Sequence, residues 1–131
     1  MILKGILLIA HGSKVAETEK IVDSVALKIV ETTRLITLPS YMEFNKPSIY
    51  EGAELLIERG VTEIIAVPMF IYCGIHVSKD IPNEIEKISK KHKDVKIIMT
   101  GCIGDDDMIA RILINRILEV TDIIGQDIIN L

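Results

Sequence analysis

Two histidines, His11 and His76, stand next to or near glycines in short turns, each following an apolar run rich in Ile and Val. His11-Gly12-Ser13 follows the run from Ile2 to Ala10, and Cys73-Gly74-Ile75-His76 follows the run from Glu63 to Phe70. Glycine lets the backbone turn sharply and leaves room for a ligand. Imidazole binds divalent transition metals and takes up a proton near neutral pH, and a carboxylate beside it assists in both roles. Glu43, at the exit of another apolar run, supplies that carboxylate. These residue types point to a metal or proton-transfer site. Each also has a plainer reading. A lone histidine at a strand end is often only hydrogen-bonded, and Glu43 could be a solvated exit residue. Asp105 to Asp107 read as an N-cap with favourable charge at a helix start. His92, within Lys90-Lys91-His92-Lys93, reads as a solvated helix end. Two histidines on one edge of the same sheet tip the balance towards a site.

The elements that must hold these residues are legible as four apolar runs alternating with four helical stripes. The runs are Ile2 to Ala10, Leu35 to Phe44, Glu63 to Phe70 and Val95 to Thr100. They lack clean alternation, as expected of strands covered on both faces. The stripes are Val22, Val25, Ala26 and Ile29; Ile49, Ala53, Leu56 and Ile57; Ile81, Ile85 and Ile88; and Ile109, Ile112, Leu113 and Ile117. Gly60 is placed as a helix stop, and Pro47 and Pro82 near helix starts, where a missing N–H costs little. The order βαβαβαβα predicts an α/β domain with a four-stranded parallel sheet and helices on both faces. Ligands of such sheets bind beyond the carboxyl ends of the strands, where His11, Glu43, His76 and Asp105 to Asp107 all fall.

At 131 residues the chain is expected to form a single domain, 1–131. A hydrophobic share of 49% beside 26% charged residues supports a packed core and excludes disorder. The net charge of −4 argues against a nucleic-acid partner, which would call for excess Lys and Arg. The longest uncharged run, Ile64 to Ile75, is interrupted by Pro68 and Gly74 and is shorter than the roughly 20 residues that span a bilayer. Gly5 to Ala10 is too short for a signal-peptide core of about 7–15 residues. Cys73 and Cys102 form no C-x-x-C pair and read as intracellular thiols, so a cytoplasmic setting is expected. The apolar stretch 122–131 either packs on its own domain or meets a second subunit.

Several chemistries are set aside. No phosphate-binding G-x-x-x-x-G-K-[ST] or G-x-G-x-x-G turn follows the first strand, so no nucleotide is expected. No G-x-S-x-G elbow is present. Histidine phosphatases also carry His-Gly after a first strand but precede it with an arginine; here that residue is Ala10.

Leu8-Ile9-Ala10-His11-Gly12-Ser13 resembles the opening motif of the class II tetrapyrrole chelatases. Met42-Glu43-Phe44-Asn45-Lys46-Pro47-Ser48-Ile49 is similar to their second-strand motif. The third match is Val67-Pro68-Met69-Phe70 followed by Gly74-Ile75-His76-Val77-Ser78-Lys79-Asp80-Ile81-Pro82, and a weaker fourth is Gly104-Asp105-Asp106. The length resembles the short, archaeal-type sirohydrochlorin chelatases, which insert cobalt or nickel in cobalamin or F430-type biosynthesis. The resemblance implies a flavodoxin-like layering, a divalent metal (Co²⁺ or Ni²⁺, with Fe²⁺ of the sirohaem route as rival) as substrate, sirohydrochlorin as partner, and a homodimer whose copies share a cleft. His11 and His76 would bind metal and accept protons, with Glu43 passing protons on. Ser13, Ser78, Lys46 and backbone N–H groups, Gly74 among them, would hold ring carboxylates. Met69, Phe70 and Ile75 would floor the cleft. The chain lacks the His-rich stretch of some short forms. A non-catalytic metal- or tetrapyrrole-binding protein is the alternative from another class.

Overall fold

The computed structural model describes residues 1–122. Its elements run β1 (Lys4–Ala10), α1 (Glu17–Thr33), β2 (Ile36–Tyr41), α2 (Ile49–Glu58), β3 (Glu63–Pro68), α3 (Ile75–Lys91), β4 (Lys96–Met99) and α4 (Asp107–Val120). The strands form one parallel sheet in the order β2-β1-β3-β4, the α/β architecture that the alternating pattern predicts.

Central position explains the composition of β1. From Gly5 to Ala10 every residue is buried. Leu7 and Ile9 pack with Ile49, Ala53 and Leu56 of α2 and with Ile81 and Ile88 of α3. Leu8 and Ala10 turn to the opposite layer and pack with Val22 and Ala26 of α1. A strand buried on both sides has no polar face to alternate with. Pro39 lies in β2, which pairs with β1 alone, so its missing N–H removes no ladder bond on the open edge.

Local signals fix the helix ends. Ser48 and Glu51 form a reciprocal capping box at the start of α2, and Gly60 follows that helix at φ 93°. Asp106 caps α4, its Oδ1 accepting from Met108 N at 2.8 Å. Three expectations are corrected. Pro82 lies well inside α3 rather than near its start, because Gly74 is the N-cap and the helix begins at Ile75. His92 is not merely solvated: half-buried at the end of α3, its Nε2 lies 2.9 Å from Glu54 Oε1 of α2. The fourth apolar stripe is not buried, since no residue of α4 is buried and Ile109 alone is half-buried.

Cys73 and Cys102 are not free thiols but are joined as a disulfide, with Cα atoms 5.9 Å apart. They are 29 residues apart in sequence, yet β3 and β4 are parallel neighbours whose exits run side by side. Ile103 N donates to Phe70 O and Gly104 N to Ile71 O, both at 2.8 Å, extending that pairing past the strands. Of the apolar stretch 122–131, expected either to pack on its own domain or to meet a second subunit, residues 123–131 lie outside the described residues.

Candidate functional site

Connections from β1 and β3 leave in opposite directions, to β2 on one side and β4 on the other. Crevices form at the carboxyl ends of strands where connections diverge in this way. His11 follows β1, and the loop to His76 follows β3, so both histidines flank that point.

Backbone pairing fixes one half of the site. Beyond the regular strands, Met42 N donates to Ala10 O and Glu43 N to His11 O, each at 3.0 Å. This extension sets the Glu43 side chain beside the His11 ring, with Oε1 3.1 Å from Nε2. The other ring nitrogen, Nδ1, is 3.2 Å from Gly12 O. Both ring nitrogens therefore meet oxygen acceptors. A proton or a metal cation at Nε2 would be shared with the Glu43 carboxylate. Gly12 adopts φ 99°, and a Cβ there would run into the Glu43 carbonyl, so glycine is required on both counts. Asn45 ties the turn down: its Oδ1 accepts from Ser13 N at 2.7 Å, and its Nδ2 donates to Glu19 at 2.8 Å.

The other half is carried by α3. His76 is the second residue of that helix, whose first turn has neither a side-chain cap nor an acidic residue. Its leading N–H groups are thus open to an anion. A cavity of about 620 Å³ joins the halves, lined by His11, Glu43, His76, Met42, Phe70 and Gly74, and also by Tyr72, Ile75, Val77 and Asp80. His11 and Glu43 are each about half exposed, so a single chain presents them in an open cleft.

The cavity gathers His11, Glu43, His76, Gly74, Phe70 and Ile75, but not Met69, Lys46, Ser13 or Ser78. Met69 packs with the α1-side cluster. Lys46 lines a separate hollow beside Tyr50 and Glu54. Ser13 Oγ accepts from Val15 N at 3.0 Å, and Ser78 Oγ donates to Cys73 O at 3.4 Å, so both hydroxyls serve their own turns. Tyr72, Met42 and Asp80 were not predicted as site residues. Asp80 had a readable signal, lying four residues after His76 and hence on the same helix face. Among the described residues, no three His, Cys, Asp or Glu side chains gather as a closed metal site. None of the described helices is long and apolar enough to cross a membrane.

Comparison with known proteins adds a family and a fold. The CbiX family model matches residues 5–120. A protein of Sulfurisphaera tokodaii named sirohydrochlorin cobaltochelatase is 40% identical over 116 residues, covering 88% of this chain and 92% of the relative. One of the same name from Sulfolobus acidocaldarius is 38% identical, covering 83% and 85%. The crystal structure of a protein from Marinobacter aquaeolei VT8, described provisionally as a CbiX protein of cobalamin (vitamin B12) biosynthesis, aligns with a TM-score of 0.75. It is 29% identical, with 90% of this chain and 99% of that one covered. The sirohydrochlorin chelatase SirB of Bacillus subtilis subspecies spizizenii, solved with cobalt, shares the fold. Its TM-score is 0.80 at 24% identity, over 91% of this chain and 51% of SirB.

Proposed function

The chain belongs to the CbiX family, and from that premise we propose that it inserts a divalent metal ion, Co²⁺ or Ni²⁺, into sirohydrochlorin without using a nucleotide. The observation that carries this reading is the His11–Glu43 pair facing the same cavity as His76. A hexa-aqua cation must lose waters before it can enter the ring. At ligand bond lengths of about 2.1 Å, donors 3.1 Å apart subtend roughly 95° at a shared cation. That angle suits two adjacent positions of an octahedral ion, so His11 and Glu43 can replace two waters without distorting it. Two donors hold a cation loosely enough to release it, as a substrate requires.

The ring nitrogens give up two protons as the metal enters. His76, across the cavity, is placed to take one, and Glu43 relays protons to solvent. Phe70, Ile75 and Met42 offer an apolar wall to the macrocycle, and the open first turn of α3 offers N–H groups to a ring carboxylate. Ser13, Ser78 and Lys46 are engaged elsewhere and have no part in this reading. Because one chain walls only one side of the cleft, a homodimer supplies the second wall; SirB, about twice as long, holds two such lengths in one chain. A cytoplasmic setting belongs to the same proposal.

The test mixes purified protein, sirohydrochlorin and Co²⁺, Ni²⁺ or Fe²⁺ and follows the absorbance change of the ring. His11→Ala and His76→Ala are each expected to lower the rate at least tenfold. Insertion at the wild-type rate by both variants would remove the assignment. Binding of ring and metal without faster insertion would leave a carrier instead of an enzyme. Competition among the three ions identifies the preferred one.

A further inference from the structure

Aromatic residues are few in this chain: three tyrosines, two phenylalanines and no tryptophan. All but one are engaged. Tyr41 is buried with Val22 and Ala26 of α1, and Phe70 packs against the core beneath α2 and α3. Phe44 and Tyr50 each hold a lysine ammonium 5.6 Å from the ring centroid. Tyr72 is the exception. It is 80% exposed, and among the described residues no hydrogen bond, ion pair or cation reaches its side chain. Exposure alone would mean little, since single apolar side chains are common on surfaces. Two further features set Tyr72 apart.

The first is that its backbone is held on both sides. Gly104 N donates to Ile71 O at 2.8 Å, Cys73 is bonded to Cys102, and Gly74 is the N-cap of α3. With both neighbours tied down, only the two side-chain torsions of Tyr72 remain free. Little order is therefore lost when its ring settles on a ligand. The second is its place between two hollows. Tyr72 lines the cavity of about 620 Å³ together with His11, Glu43 and His76. It also lines the hollow of about 450 Å³ beneath Ile109 and Leu113 of α4. The ring has room on either side, so it can turn aside as a ligand enters and turn back over it. Met42, Phe70 and Val77 line the same cavity, so an apolar surface already borders the space that Tyr72 would close.

We propose that Tyr72 is a specificity-determining residue for the ring, laying its aromatic face on the macrocycle held in the cavity. The proposal deepens the functional reading above and rests on it. A conjugated macrocycle offers a broad π face, which an aromatic side chain covers in offset stacking. A reduced, unconjugated ring puckers and offers no such face. Tyr72 thereby favours flat, conjugated rings, while the ion stays with His11 and Glu43.

Ring binding without metal provides the test, because it is separable from insertion. Sirohydrochlorin is titrated against the full chain and followed by the ring's own fluorescence. Tyr72→Ala is expected to weaken binding about tenfold or more, and Tyr72→Phe, which keeps the face and drops the hydroxyl, by less than about threefold. In the insertion assay Tyr72→Ala should raise KM and leave kcat within about twofold, since the stack holds the ring before and after the metal enters. Uroporphyrin and its porphyrinogen carry the same carboxylates and differ in flatness. In anaerobic competition against sirohydrochlorin, the wild type should prefer the porphyrin, and Tyr72→Ala should lose most of that preference. Melting temperatures of both variants should match the wild type. Tyr72→Ala binding as tightly as the wild type, or keeping the full preference, would overturn the proposal. So would Tyr72→Phe failing as badly as Tyr72→Ala, because the hydroxyl would then carry the contact. A lowered melting temperature in Tyr72→Ala would overturn it too, by giving the side chain a structural task. A wild type that binds no ring overturns the functional reading and the stacking together. A wild type that binds the ring beside an unaffected Tyr72→Ala overturns the stacking alone.

Discussion

Gly12 has almost no latitude, and the reason lies in its neighbours rather than in its own turn. Its left-handed φ disfavours any side chain, and the space a Cβ would need is taken by the Glu43 carbonyl. Gly12→Ala must therefore either strain the backbone or part the β1 and β2 exits. The expected loss is about 2–4 kcal/mol of stability, measured by denaturant unfolding, with metal insertion falling in step. Glu43→Gln keeps the shape of the pair but removes the charge, so its metal affinity, measured by titration calorimetry, should fall by tenfold or more without loss of stability. His11, His76 and Glu43, which face one cavity, are singled out in the sequence by residue type and position at strand exits. For Ser13 and Ser78 residue type alone leaves two readings, a local cap or a ligand contact. Whether a hydroxyl is already engaged, as these are, depends on loop geometry that spacing does not encode.

The elements are held in register by bonds that link distant parts of the sequence. Glu54 of α2 has its carboxyl pulled from 4.5 to about 2, chiefly by the His92 hydrogen bond, with Lys91 and Tyr50 adding and desolvation opposing. The folded chain therefore binds this proton less readily than the unfolded one. Its contribution is complete above pH 4.5 and fades as pH falls towards about 2. Glu54→Gln should lower stability above pH 4.5 and flatten the profile across that window, which acid titration followed by circular dichroism would detect. The disulfide acts similarly on two loops. Reducing it should cost about 3–4 kcal/mol by freeing a loop of this length in the unfolded chain, readable from unfolding with and without reductant. Strands and helices were predictable here because periodicity and caps are local. The Cys73–Cys102 bond and the His92–Glu54 contact were not, since each depends on which elements become neighbours. Pro82 misled for a related reason: its preference for helix starts is statistical, and the stronger local signal at Gly74 prevails.

Taken whole, the described chain is a finished two-layer core beneath α2 and α3 with an unfinished layer on the side of α1. Alternating composition was enough to foresee the sheet, its parallel sense and the edge where chemistry gathers. It also led to the expectation that α4 would be buried, because an apolar stripe shows that a helix needs cover without showing whose. If that cover comes from a second copy, folding and association are one equilibrium, and the melting temperature should rise with protein concentration. Scanning calorimetry over a hundredfold concentration range would show this, and an unchanged midpoint would place the cover within the chain. The division of the cleft between sheet and loop bears on how the family can vary. Replacements around Ala10 to Gly12 and Met42 to Glu43 act on strand pairing itself, so drift there endangers folding. In the loop from Ile71 to Ile75, Ile71 and Cys73 are tied to the β4 exit and Gly74 caps α3. Tyr72 and Ile75 are exposed at the cavity and can change without breaking those ties. A lineage that alters its choice of ion or ring would be expected to record that history in this loop, over a floor that hardly changes.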